Sequence, residues 1–421
     1  MITNENHPKN NNQNNYFCSV KHLVIIGQVI PEPKSTAAGT RMMQLIGIFS
    51  EAGYKISFLT AANNVEFSEQ IEVHPIEINQ GSFDDKIKIL DPDIVIFDRY
   101  VTEEQFGWRV SEHCPRAVRI LDTEDLHFLR EARHKAFKEK RAFNHNDLIN
   151  GVFLREMASI LRCDLSLIIS EFEYELLTKT FRIDAEILFY LPFLAEKIEK
   201  NTTSFQKRQH FVSIGNFLHE PNWQTVLKLK QIWKDIRKNL PEAELHIYGA
   251  YATEKVFQLH NNKEGFLVKG RAVSADEIFR NYRVLLAPIP FGAGLKGKLW
   301  ESMKFGLPNV TSSVGAEAMS RDLPWNGFIE DSYEEFTNKA VILYTNESIW
   351  NQANENATEI LQQVYSKTIH VQPFWTTLYK ITDNLDNHRN MHFLGKILKH
   401  HQLNSTKYMS RWIEEKNKNL L

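Results

Sequence analysis

Cysteine, net charge and long apolar runs are all scarce in this chain, and each scarcity removes a class of protein. Three cysteines in 421 residues, Cys18, Cys114 and Cys163, lie far apart and form no Cys-x-x-Cys pair. That odd, scattered set excludes a disulfide framework and a cysteine-based zinc site, and fits a reducing cytoplasm. The formal net charge of −2 gives no electrostatic footprint for nucleic acid. No stretch approaches the ~20 apolar residues of a membrane-spanning helix. The best run, Leu23 to Ile30, is broken by Gly27 and Gln28. The N-terminus has no apolar middle section, so it does not read as a signal peptide. Its asparagine-rich composition cannot form a core, and residues 1–18 are expected to be disordered.

What is present points to an α/β protein. At 421 residues the chain exceeds the roughly 250–300 residues at which a single core stops growing, so two domains are expected. Short apolar runs alternate with helical patterns: HLVIIG, then a helix from about Thr40, KISFLT, IEVHPIEI, DIVIFD, AVRILD and LSLIIS. Such alternation predicts βαβ units and a mostly parallel sheet covered on both faces. The rhythm stops in the polar, lysine-rich LAEKIEKNTTSFQKRQ and restarts at HFVSIG. Val226, Leu229, Ile232, Trp233 and Ile236 then fall at helical spacing, and ELHIYG, FLVKG and RVLLAPIPF follow. The expected architecture is two Rossmann-like doubly wound domains facing across a cleft, at 19–194 and 210–365. A linker at 195–209 joins them, and helices at 366–421 form a C-terminal extension. The basic tail reads as a helical extension with a solvated face; the alternative is an element that meets a membrane surface or a partner. His388 and His392 lie four apart, but no third ligand accompanies them, so no metal site is assigned there.

The segment LLAPIPFGAGLKGKLWESMKFGLPNVTSSVGAEAM carries the clearest chemistry. A buried strand runs into a loop with Gly292, Gly294 and Gly297, and a helix is expected from about Lys298 to Phe305, stopped by Gly306 and Pro308. Free amides of such a turn converge on an anion, and a helix N-terminus adds about half a positive charge. Lys296 and Lys298 bring cations to the same corner, and Glu301 suits a pair of ribose hydroxyls. The alternative is an ordinary strand-to-helix turn with a Lys298–Glu301 surface ion pair.

This segment resembles the donor-binding signature of the retaining GT-B glycosyltransferases known as glycosyl transferases group one (family 4-like). The match is to a branch with a Gly-Ala-Gly-x-Lys-Gly-Lys loop. GNFLHEPNWQTV resembles the opening of that family's C-terminal domain. The resemblance implies transfer of a sugar from a nucleotide-diphosphate sugar, with retention and with no essential metal or other cofactor. It implies a cell-surface polysaccharide or glycolipid precursor as acceptor, a cytoplasmic location, and peripheral contact with the inner face of the membrane as an option. Glu301 matches the second glutamate of the family's Glu-x7-Glu motif and would hold the ribose, whereas Ala293 stands where the first usually contacts the sugar. The backbone of Gly292, Ala293, Gly294 and Leu295 would substitute. The Arg and Lys that many members carry after the first strand of this domain are absent, so Lys296 and Lys298 would neutralise the diphosphate. Gly215, Asn216 and Asn222 occupy that region, and Gly249 and Arg271, at two further strand ends, would line the base pocket.

In the first half, Gly39, Thr40 and Arg41 precede a helix, in a loop that in the family approaches the donor phosphates and the acceptor. Arg41 is a candidate phosphate partner or else a surface ion pair. Asp122, Glu124, Asp125 and His127 cluster after a strand, where ionisable groups suit acceptor binding or acid–base work, although Asp122 or Thr123 also suits a helix N-cap. Asp125, His127 and Lys296 are taken as the catalytic candidates. A plain dinucleotide oxidoreductase is disfavoured, since VIIGQVIPEP lacks the Gly-x-Gly-x-x-Gly turn. A nucleotide-sugar epimerase and a non-catalytic carbohydrate-binding scaffold remain as alternative readings.

Overall fold

The structure, a computed structural model, describes residues 20–32, 36–62, 71–196, 203–272 and 274–418. The N-terminal segment expected to be disordered and the middle of the expected linker lie outside the described residues.

The first domain is a seven-stranded parallel sheet. Its strands are β1 (His22–Gly27), β2 (Lys55–Thr60), β3 (Glu72–Pro75), β4 (Ile94–Asp98), β5 (Val118–Asp122), β6 (Leu165–Ile168) and β7 (Leu188–Tyr190), in the order β3-β2-β1-β4-β5-β6-β7. Every residue of β1, β4 and β5 is buried, which is why these runs are apolar on both faces rather than alternating. The second domain repeats the plan with β8 (Gln209–Ile214), β9 (Leu245–Tyr248), β10 (Phe266–Gly270), β11 (Tyr282–Ala287), β12 (Asn309–Thr311) and β13 (Gly327–Ile329), ordered β10-β9-β8-β11-β12-β13. In each sheet the strand order reverses beside the first strand, at β1/β4 and at β8/β11. Such a switch point opens a crevice at the carboxyl ends of the strands, where ligands bind.

Local sequence sets the helices that flank these crevices. Thr36 caps the Ala37–Glu51 helix, its hydroxyl accepting the Gly39 N–H at 2.9 Å. The Glu220–Asn239 helix has proline in its first turn and buries the five apolar positions expected from their spacing.

The tail packs on the first domain. The Lys367–Asp383 helix buries Phe374, Trp375, Leu378 and Ile381 in one apolar cluster with Leu23, Phe49 and Ile96 of the first domain. The Phe374 and Trp375 rings meet Phe49 edge-on at 5.8 and 5.1 Å. The following Leu385–Met391 and Phe393–Lys418 helices also lie on the first domain. Arg389 is paired with Asp164 at 2.7 Å, and Arg109 donates to Ser410 at 3.1 Å and pairs with Glu414. The chain therefore crosses between domains twice, side by side: Ala195 N–H donates to the Tyr365 carbonyl at 2.7 Å, and Lys367 N–H to the Ala195 carbonyl at 3.1 Å. No helix among the described residues is long and apolar enough to cross a membrane.

Candidate functional site

A cleft of about 610 Å³ opens between the domains where the two switch points face each other. The second domain contributes the loop after β11 and the start of the Gly297–Lys304 helix, from Phe291 through Lys298, with Glu301 one turn further. No side chain caps that helix, so its N-terminal dipole is left for a ligand. Gly294 has φ of +60°, and a Cβ there would sit 2.7 Å from the Asp125 Cβ of the other domain. Only glycine allows both the backbone turn and the approach. Gly297 meets Ala37 as closely, at 2.5 Å from a Cβ built on it.

The first domain grips this loop. Arg133 donates to the Gly292 carbonyl at 2.8 Å and pairs bidentately with Glu317 at 2.7 and 2.8 Å. His134 stacks on Phe291 with ring centroids 4.6 Å apart. Fully buried Glu173 accepts the Gly294 N–H at 2.7 Å and the Leu126 N–H at 3.2 Å. Burial, and then the nearby Asp125 charge, push its carboxyl up to about 8.

The cations and the carboxylate expected at the donor end line the cleft. Lys298 donates to Asn222 Oδ1 at 2.7 Å, and burial, then Lys296, bring its pKa down to about 8. Lys296 folds back onto the carbonyls of Ala293 and Gly294 at 3.1 and 2.6 Å, and burial lowers its pKa as well. Glu301 is half-buried, and the loss of water pushes its carboxyl up to about 7. Gly215, Asn216, Asn222, Gly249 and Arg271 complete this wall. Asn222 supports the turn by donating to the Asn216 carbonyl at 2.8 Å, and a Cβ on Gly215 would collide with it at 2.7 Å. At the mouth, Glu32 of the first domain accepts from the Tyr251 hydroxyl at 3.1 Å and lies 3.6 Å from Arg271.

The opposite wall is more charged than the sequence suggested. Gly39, Glu124 and Asp125 are on it as expected, joined by Asp98, Arg99 and Arg130. Burial works against ionisation of Asp125, yet Arg130, at 2.6 Å, holds its carboxyl down to about 2. Arg99 pairs with Asp98 at 3.1 Å.

Three expectations are corrected by this geometry. Arg41 does not reach the cleft: it is 1% exposed, donates to Asp122 Oδ1 at 2.8 Å and to the Leu191 carbonyl at 2.6 Å, and so ties β5 to the chain after β7. Thr40 also lies off the cleft wall, on the same helix. His127 sits behind Asp125, its Nδ1 on Glu156 at 3.1 Å and its ring against Tyr100. Sequence reasoning passed over Asp98, Arg99, Arg130, Arg133 and Glu173. The first two had a readable signal, since they directly follow the apolar IVIF run at a strand's carboxyl end.

Comparison with known proteins agrees with this arrangement. Residues 208–346 match the family described as "Glycosyl transferases group 1". No curated protein matches the sequence significantly. Among solved structures, a point mutant of S. aureus TarM in complex with fondaparinux, alpha-GlcNAc-glycerol and UDP is similar at TM-score 0.67 and 10% identity, covering 87% of this chain and 100% of that one. Sucrose-phosphate synthase from Thermosynechococcus elongatus is similar at TM-score 0.67 and 12% identity, over 86% and 99%. The pneumococcal O-GlcNAc transferase GtfA in complex with UDP and GlcNAc is similar at TM-score 0.64 and 12% identity, over 87% and 100%. The second domain is thus the part of the chain that matches the group 1 glycosyltransferases, and the two facing Rossmann-like sheets give the whole chain the GT-B fold of these structures.

Proposed function

We propose that the chain moves a glycosyl group from a nucleotide-diphosphate sugar, held by the Gly292–Lys298 loop and Glu301, to a hydroxyl on an acceptor lying against the first domain. The observation that carries this reading is the convergence of an uncapped helix N-terminus, two lysines and one carboxylate at one end of an interdomain cleft. Amides and ammonium groups suit a diphosphate, and a carboxylate one helical turn away suits a ribose diol. The leaving diphosphate gains charge in the transition state, so fixed dipoles aimed at it lower the barrier. Asp125 lies under Gly294, beside the position of the transferred sugar, and its low pKa makes it an orienting charge rather than a proton acceptor. Contact between the domains at Gly294 and Gly297 excludes water that would otherwise hydrolyse the donor. Retention, independence from metal, and a cell-surface polysaccharide or glycolipid product belong to the same proposal. UDP accompanies TarM and GtfA in their structures, which makes it the first nucleotide to try.

The test is a thermal-shift screen with UDP-, GDP-, ADP- and CMP-sugars, followed by product analysis with and without acceptor. A nucleotide at 100 times its Kd stabilises the fold by about 2.7 kcal/mol. Stabilisation by none of them, or conversion of the sugar with no acceptor present, as in an epimerase, refutes the reading.

A further inference from the structure

We propose that Asp98 and Glu124 form a subsite for the acceptor and select one that is uncharged and rich in hydroxyls. Its role as an acceptor subsite rests on the glycosyl-transfer reading; its affinity for sugar does not.

The subsite follows from the register of two neighbouring strands. β4 and β5 run parallel with Asp98 opposite Asp122, so both strands deliver carboxylates to the same end of the sheet, at the crevice. Asp122 is consumed by Arg41 inside the domain. Asp98 lines the cleft instead. It is 6% exposed, and while its Oδ2 takes Arg99, its buried Oδ1 has no hydrogen-bond partner. Two residues beyond Asp122, Glu124 also lines the cleft, with a buried and unpartnered Oε1. Burial, then the charges of Asp122 and Asp98, push the Glu124 carboxyl up to about 8, so the acidic groups are close in space. Buried acceptor atoms without donors are costly unless something fills them. Arg99 and Glu124 are also held at positive φ, +70° and +62°, a backbone cost that clusters at functional sites.

The missing partners are hydrogen-bond donors. A sugar hydroxyl pair supplies two without carrying charge. The two guanidiniums on this wall are already occupied, Arg99 by Asp98 and Arg130 by Asp125. Among the described residues this wall therefore offers an incoming anion no cation that is not already paired with Asp98 or Asp125. A phosphorylated sugar or a uronate would bring a negative charge into this corner with no cation there to pair it, which costs affinity.

The experiment uses the full chain, with and without UDP, and measures binding by saturation-transfer NMR and calorimetry. The probes are methyl glycosides of glucose, galactose and N-acetylglucosamine, with glucose 6-phosphate and glucuronate as charged counterparts. At least one neutral glycoside should bind, and the charged sugars should bind about tenfold more weakly or not at all. Asp98→Asn, which removes the charge, and Glu124→Ala, which removes the acceptor oxygen, should each weaken the neutral sugar about tenfold, as expected for loss of a hydrogen bond to a buried carboxyl group. UDP affinity should be unchanged in both variants. Binding of no neutral sugar, preference for a charged one, or wild-type sugar affinity in both variants overturns the proposal. UDP binding in the same samples reports on the donor reading separately, so the two can fail independently.

Discussion

Glu173 sits where the domains touch, and its two replacements should part company sharply with pH. Its carboxyl accepts two buried N–H groups, from Gly294 and Leu126. Glu173→Ala leaves both without partners, at about 1–3 kcal/mol each, or about 2–6 kcal/mol in all. Glu173→Gln keeps an acceptor oxygen in place. Burial and Asp125 raise the carboxyl from 4.5 to about 8, so at pH 6 the native group is neutral and glutamine is a close substitute. The folded value lies above the unfolded one, so the folded state binds the extra proton. Its contribution is complete below about pH 4.5 and is lost as pH rises toward 8, by up to ~1.4 kcal/mol per pH unit. Urea unfolding should therefore find Glu173→Gln closest to the wild type near pH 4.5 and gaining on it as pH rises, by roughly 2 kcal/mol at pH 6 and about 5 kcal/mol at pH 9. Glu124 and Glu301 are raised to about 8 and 7 and titrate in the same window, so the difference between the two curves, not either alone, isolates Glu173. If Glu173→Gln is as damaging as Glu173→Ala at pH 6, or if the two curves stay parallel from pH 6 to 9, the reasoning fails.

Other perturbations test the site directly. Gly294→Ala adds a Cβ at positive φ and 2.7 Å from the Asp125 Cβ. It should cost at least ~1 kcal/mol in urea unfolding and reduce transfer tenfold or more in a coupled assay for released nucleotide. Lys298→Ala should weaken UDP binding about tenfold at pH 7, measured by calorimetry. In the wild type, UDP affinity should fall as pH rises through about 8, where free Lys298 loses its proton, and the variant should lack that fall. Asp122→Asn removes the charge that balances fully buried Arg41. It should destabilise the fold by about 3–5 kcal/mol while leaving UDP affinity intact in the folded protein, because Arg41 does not face the cleft.

The sheets and the glycine-rich loop on the cleft were legible in the sequence because each rests on local signals. Runs such as LVII and IVIF are apolar on both faces only because helices cover both sides of the sheet, and the glycines of 292–297 mark a turn regardless of what surrounds it. Glu301, Lys296 and Lys298 could be placed because they are chained to that turn. Arg41 was misplaced because its partner, Asp122, is 81 residues away, and no local pattern distinguishes an arginine that turns inward from one that faces a cleft. Glu173 and Arg133 escaped for the same reason: their importance lies in touching the other domain. The tail's allegiance was equally hidden, since Phe374, Trp375, Leu378 and Ile381 form a stripe that would suit either domain.

That stripe has a consequence for synthesis. Part of the first domain's interior is encoded after all of the second domain. At roughly 5–20 residues per second, about 10–40 s pass between emergence of the last strand of the first sheet and arrival of the helix that covers it. During that interval Leu23, Phe49 and Ile96 lack their cover on a ribosome-bound chain, and the second domain can form before the first is finished. Translation that halts short of Ile381 leaves a polypeptide with an intact second domain and an open, adhesive first one, a natural substrate for chaperones.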